Sequence, residues 1–244
     1  MVSKAKVKFI KSLQLKKYRK EEQCFVVEGG KSVIELLKSD YSVTWLAGTS
    51  RFLEDNYSLV TQLKMDIVET DAKELQQLGT FQTNDAAIAI ALTKPNLPLQ
   101  INNGFALVLD DIRDPGNLGT IIRTADWFGI HKIIASEETA DFYNPKVIHA
   151  TMGSFCRVQV FYTSLPQYLD SANLPVYGAF LGGVNIHQIE FSNAGLVVIG
   201  NEAQGISKEV ERSVSHRITI PKKGGAESLN ASIATAIILD NIFR

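Results

Sequence analysis

Only two cysteines occur in the 244 residues, Cys24 and Cys156, and neither belongs to a CxxC pair. That scarcity excludes a disulfide scaffold and a cysteine-built zinc site, and it favours reduced thiols in a cytoplasmic protein. The four histidines, His131, His149, His187 and His216, are scattered without the spacing of metal ligands, so no metal is expected. No apolar run approaches the roughly 18 residues of a membrane-spanning helix. The N-terminus is basic but lacks the apolar core and small-residue cleavage site of a signal peptide. Also missing are GxSxG, HExxH and a GxGxxG placed after a strand, which removes the usual signatures of serine hydrolases, zinc proteases and dinucleotide-binding enzymes.

The rest of the composition, 45% hydrophobic and 21% charged, is that of a globular protein. A net charge of −1 conceals an asymmetry. Residues 1–20 carry eight Lys or Arg and no acid, whereas the other 224 residues hold 17 bases against 26 acids. A basic block on an acidic protein suggests local contact with an anion such as nucleic acid; a solvated terminus is the plain alternative.

The segment KPNLPLQINNG, residues 94–104, reads as a boundary loop. Ahead of it, a basic helix-like stretch, strands CFVVEG and VTWLAG, helix SVIELLKSD and strand candidates MDIVET and AAIAIAL form a small α/β unit. Beyond it the strand candidates FALVLDD, KIIAS, RVQVFY, PVYGAFL, GLVVIG and RITIP alternate with helix-like stretches. Continuous apolar strands alternating with helices predict a mostly parallel sheet with helices on both faces. Ligands of such a sheet bind at the carboxyl ends of its strands.

Three polar segments fall at those ends. In LDDIRDPGNLGTIIRTADWFG, residues 109–129, a strand turns through Asp114, Pro115, Gly116 and Asn117 into a helix bearing Arg123. Asn117 is placed to cap that helix and Arg123 to meet an anion at the loop; a capped helix with a surface arginine is the plain alternative. In GLVVIGNEAQGIS, an apolar strand ends at Gly200, followed by Asn201, Glu202 and Gly205. Its glycine spacing resembles a phosphate loop, but Ile206 and Ser207 replace the Lys and Ser/Thr that hold phosphate and magnesium. In ITIPKKGGAESLNASIATAIILDNIF, Ser228 reads as an N-cap, while Asn230 and Ser232 have no evident capping role and suggest a site wall.

Together these segments resemble the signature motifs of the SpoU (TrmH-type) RNA ribose methyltransferases of the SPOUT superfamily. The matching residues are Asn117-Leu118-Gly119 with Arg123, Gly200-Asn201-Glu202 with Gly205, and Ile220-Pro221 leading to Ser228-Leu229-Asn230. The segment KKYRKEEQCFVVEG is similar to the substrate-binding domain that precedes the catalytic domain in this family. One departure is Lys222, where many relatives carry methionine.

The resemblance implies an RNA-binding domain over 1–95, a linker over 96–104 and a catalytic domain over 105–244 with a C-terminal trefoil knot. It implies a homodimer that transfers the methyl group of S-adenosylmethionine to a ribose 2′-hydroxyl of rRNA or tRNA. Asn117, Arg123, Glu202, Ser228 and Asn230 are then the catalytic group. Ala179, Leu181, Gly200, Ile220 and Leu229 line the cofactor, and Lys16, Lys17, Arg19 and Lys20 grip RNA. The alternatives are an RNA-binding protein that keeps the fold without catalysis and, more remotely, a dinucleotide-binding enzyme on an open sheet.

Overall fold

The computed structural model describes residues 2–81 and 83–244. In chain order the elements are α1 (Lys4–Ser12), α2 (Lys16–Glu22), β1 (Cys24–Glu28), α3 (Gly30–Leu37), β2 (Val43–Gly48), α4 (Ser50–Asp55), α5 (Tyr57–Thr61), β3 (Asp66–Glu69), α6 (Ala72–Leu78) and β4 (Ala87–Leu92). They continue with β5 (Gly104–Asp110), α7 (Pro115–Trp127), β6 (Lys132–Ala135), α8 (Pro145–Ala150), β7 (Gln159–Tyr162), α9 (Leu165–Asp170), β8 (Val176–Asn185), β9 (Ala194–Gly200), α10 (Lys208–Glu211), β10 (His216–Thr219) and α11 (Ala231–Ile242). The chain forms two compact units, one of residues 1–95 with 141–156, the other of 96–140 with 157–244.

In the first unit a four-stranded sheet runs in the order β1-β4-β2-β3. The pairs β1–β4 and β4–β2 are antiparallel, and β2–β3 is parallel. Residues of β1 and nearly all of β4 are buried, which is why both read as unbroken apolar runs. On α1, Val7 and Ile10 turn toward the core with Trp45 and Leu75, and Ser3 caps the helix by accepting from the Lys6 amide.

Residues 141–156 differ from the domain boundaries read from the sequence: their contacts lie in the first unit. Helix α8 packs on β1, and Tyr143 and Phe155 close around Phe25, with ring centroids at 4.7 and 6.0 Å. Asp141 supplies the partner of Arg19. That guanidinium donates to Asp141 Oδ2 through Nη2 at 2.5 Å and Nε at 3.1 Å, and through Nη1 to the carbonyls of Leu13 and Gln14 at 2.8 Å. Arg19 is 3% exposed. Its assignment as an RNA contact is therefore corrected: the buried fork is filled, and it staples α2 to the segment carrying Asp141. Lys16, Lys17 and Lys20 remain exposed on α2.

The second unit holds the six strands expected from the sequence, in the order β10-β8-β9-β5-β6-β7. All five pairings are parallel. Every carboxyl end thus meets one edge. Ala106 and Val108 of β5 pack with Leu165 and Leu169 of α9 and Val210 of α10. Their alternates Leu107 and Leu109 are equally buried, so the sheet is covered on both faces. Helices α7 and α11 pack on each other.

One pairing is irregular. Arg217 of β10 pairs with Gly178, but Ile218 pairs with Val184, so residues 179–183 leave the ladder. A Cβ on Gly183 would lie 2.6 Å from the Arg217 carbonyl oxygen, which only glycine tolerates. Thr219 Oγ1 donates to the Leu181 carbonyl at 3.2 Å and ties the excursion back to β10.

Candidate active site at the carboxyl edge

The three polar segments meet at this edge, where hydrogen bonds link them across long stretches of chain. Asp114, not Asn117, caps α7: its carboxylate accepts the Asn117 amide at 2.8 Å, with Pro115 in the first turn. The Asn117 side chain is released for another task. Its Nδ2 donates to Glu202 Oε1 at 2.5 Å, and its Oδ1 accepts Asn230 Nδ2 at 2.9 Å. Asn230 Oδ1 in turn accepts the Ser232 amide at 3.0 Å and the Ser232 hydroxyl at 2.6 Å. Asn230 is thus the N-cap of α11, so capping accounts for the polar pair that the sequence left unexplained, and Ser228 lies two residues before the cap.

The loop after β9 is held just as closely. Asn201 and Gly205 exchange backbone hydrogen bonds at 3.0 and 2.8 Å, and Asn201 Oδ1 accepts the amides of Ala203 and Gln204. Gly200 lies against the returning end of that loop; a Cβ there would sit 2.3 Å from Gly205 C and Ile206 N. Two carboxylates that sequence reasoning overlooked complete the scaffold. Buried Asp110 accepts the Ser207 amide at 2.7 Å, and the Asp111 carbonyl accepts Asn201 Nδ2 at 2.8 Å. Their only signal was the paired acid ending strand FALVLDD. Asp111, and secondarily Glu138, hold the Arg113 guanidinium above its already high ordinary pKa.

Of the five residues assigned to catalysis, Asn117, Glu202 and Asn230 form one continuous chain. Arg123 is exposed on α7 and Ser228 on the loop before α11; neither joins that chain. Of the five assigned cofactor residues, Ala179 and Leu181 lie in the excursion within β8, Gly200 ends β9, and Ile220 and Leu229 follow β10; the three strands are neighbours in the sheet. Leu181 and Leu229 are 77% and 46% exposed there. Uncovered leucines suit an adenine ring, which needs apolar walls. A cavity of about 420 Å³ lined by Ile101, Tyr168 and Leu196 opens at the amino ends of the strands instead and touches none of these residues. Among the described residues no three His, Cys, Asp or Glu side chains converge as a metal site would require.

An all-parallel sheet whose carboxyl-edge loops are tied by Asn117, Glu202 and Asn230 defines an α/β domain with its ligand site at that edge. The chain belongs to the SpoU rRNA Methylase family, which it matches over residues 104–240, and residues 4–89 match the MRM3-like substrate binding domain. It is 32% identical over 241 residues to the 23S rRNA (guanosine(2553)-2′-O)-methyltransferase RlmP of Bacillus subtilis, covering 96% of this chain and 94% of that one. Among solved structures it is similar to a putative RNA methyltransferase of the TrmH family from Porphyromonas gingivalis, with 36% identity, TM-score 0.85 and coverage of 99% and 98%. It is also similar to an AdoMet-bound rRNA methyltransferase from Sinorhizobium meliloti, with 29% identity, TM-score 0.89 and coverage of 99% and 96%.

Proposed function

We propose that this protein transfers the methyl group of S-adenosylmethionine to a ribose 2′-hydroxyl of ribosomal RNA in the cytoplasm. The observation that carries this reading is the Glu202–Asn117–Asn230 chain, which fastens all three segments at the edge where a parallel sheet binds its ligands. The cofactor supplies a methyl group already activated by its sulfonium. The residues of the chain align the acceptor and hold its charge. Arg123 binds the phosphate beside the target ribose and stabilises the developing alkoxide; a guanidinium does not give up its proton readily enough to serve as base, so the hydroxyl proton passes to solvent water. Glu202 fixes the Asn117 amide, which fixes Asn230, so the α11 cap presents Ser228 and Asn230 to the ribose. Gly200, Ile220 and Leu229, with Ala179 and Leu181 on the β8 excursion, wall the cofactor. Lys16, Lys17 and Lys20 contact RNA phosphates from the first unit.

The test is calorimetry with S-adenosylmethionine and its demethylated product, beside methyl transfer to an unmodified 23S rRNA transcript. Binding of both without added metal, and a single ribose-methylated nucleotide in the product, are expected. Absence of binding with RNA present and absent overturns the enzymatic reading and favours an RNA-binding protein without catalysis.

We further propose that the C-terminal segment of the catalytic domain is tied in a trefoil knot, as membership of the family implies. We also assign α7 and α11 to a homodimer interface. Trp127 on α7 is 85% exposed, and Ile233 and Phe243 at the ends of α11 are half exposed, an apolar set that a second copy would cover. Sedimentation at micromolar concentration should find a dimer, and Trp127→Glu should shift it toward monomer. A fully active monomeric wild type would refute this assignment.

A further inference from the structure

Asp111 occupies the left-handed region, with φ 59°, a conformation shared among described non-glycine residues only by Gln23 and Met152. Such a backbone costs about 1 kcal/mol and persists only where its surroundings hold it. Here they do. The Asp111 amide donates to Ser136 Oγ at 3.0 Å, and its carbonyl accepts Asn201 Nδ2 at 2.8 Å. The carboxylate is shared: Oδ2 accepts Asn201 Nδ2 at 3.3 Å and Oδ1 accepts Arg113 Nε at 2.7 Å.

The consequence falls on Arg113. Its Nε is committed, which fixes the guanidinium plane, yet the side chain is 68% exposed and its two terminal nitrogens are unspent among the described residues. Other arginines of this unit are used differently. Arg157 and Arg244 each turn Nε and Nη2 onto one carboxylate, and Arg217 stacks on Phe180 while pairing with Glu211. A fork oriented along one edge and open along the other suits a phosphate, which accepts two parallel hydrogen bonds. It also stands in a loop that carries Asp111 and Asp114, whose charge a polyanionic strand must overcome.

We infer that Arg113 binds a backbone phosphate of the RNA strand at the active-site rim, with Asp111 as its positioning residue. This rests on the methyltransferase reading above, but it is tested by binding as well as by turnover. In fluorescence anisotropy with an unmodified 23S rRNA transcript, Arg113→Ala should weaken binding about tenfold at low salt. The slope of log affinity against log salt should shrink by about 0.7–0.9, the signature of one lost phosphate contact. KM for RNA should rise in step, while melting and calorimetric affinity for S-adenosylmethionine stay at wild-type values. Arg113→Lys should keep the slope and lose part of the affinity, and Asp111→Asn should do the same through lost orientation. A folded Arg113→Ala protein with unchanged RNA affinity and slope overturns the inference. So does one that loses the cofactor instead, which would make the oxyanion the cofactor's carboxylate. Methyl transfer by the wild type, run alongside, decides the enzymatic reading separately, because the anisotropy arm judges Arg113 whether or not transfer occurs.

Discussion

Arg123→Ala should abolish most methyl transfer while leaving the protein folded and able to bind S-adenosylmethionine. The side chain is exposed on α7 and makes no hydrogen bond or ion pair among the described residues, so its removal should change stability by no more than about 0.5 kcal/mol. A side chain with no structural employment is free to act on substrate. Loss of a key electrostatic contact to a transition state commonly costs about two or three orders of magnitude in rate. Arg123→Lys retains charge but not the planar fork and should restore little. The measurement is single-turnover methylation at saturating cofactor, with a melting curve and a calorimetric titration on the same preparation. A folded Arg123→Ala enzyme with near-normal turnover would move the chemistry to Ser228 and Asn230.

Gly200→Ala should be as damaging to activity for an unrelated reason. The added Cβ would meet backbone atoms of Gly205 and Ile206 at 2.3 Å, and backbone cannot rotate aside as a flexible side chain can. The Asn201–Gly205 loop must move, taking with it the Asn201 bond to Asp111 and the Glu202 bond to Asn117. Overpacking of this kind costs about 1–3 kcal/mol of stability. The larger effect falls on function, with cofactor affinity and turnover each expected to drop by about a hundredfold, since a displacement of about 1 Å in a catalytic group can cost that much. Gly224→Ala, whose Cβ would meet nothing within 4 Å, should melt like wild type and serves as the steric control. Wild-type cofactor affinity in Gly200→Ala would show that this loop does not shape the pocket.

The parallel sheet was legible because its strands are buried on both faces and therefore read as unbroken apolar runs between turns. The three segments were legible because Gly200, Pro221 and the Asp-Pro-Gly of residues 114–116 punctuate the strand ends. What the sequence concealed was partnership. Arg19 looks like one of eight bases in a solvated arm, and nothing local reveals that Asp141, 122 positions away, will bury it. Asn117 was read as a cap because Asp114, Asn117 and Ser228 are all competent caps, and only the fold decides that Asp114 and Asn230 take the role. Asp111 went unremarked because its backbone angle, the source of its interest, leaves no trace in residue type.

The insertion of residues 141–156 into the first unit sets an order of events during synthesis. Chains emerge from the ribosome N-terminus first, and domains ordinarily fold as they appear. Here the first unit cannot close over Phe25, nor can Arg19 find its carboxylate, until Asp141 through Phe155 have been translated. By the time those residues emerge, β5, α7 and β6, which belong to the other unit, are outside as well, without their partner strands β9 and β7. The nascent protein must therefore carry two unfinished cores at once. A stop or a recombination crossover after residue 95 would leave Phe25 of β1 without the rings of Tyr143 and Phe155 and Arg19 without its carboxylate.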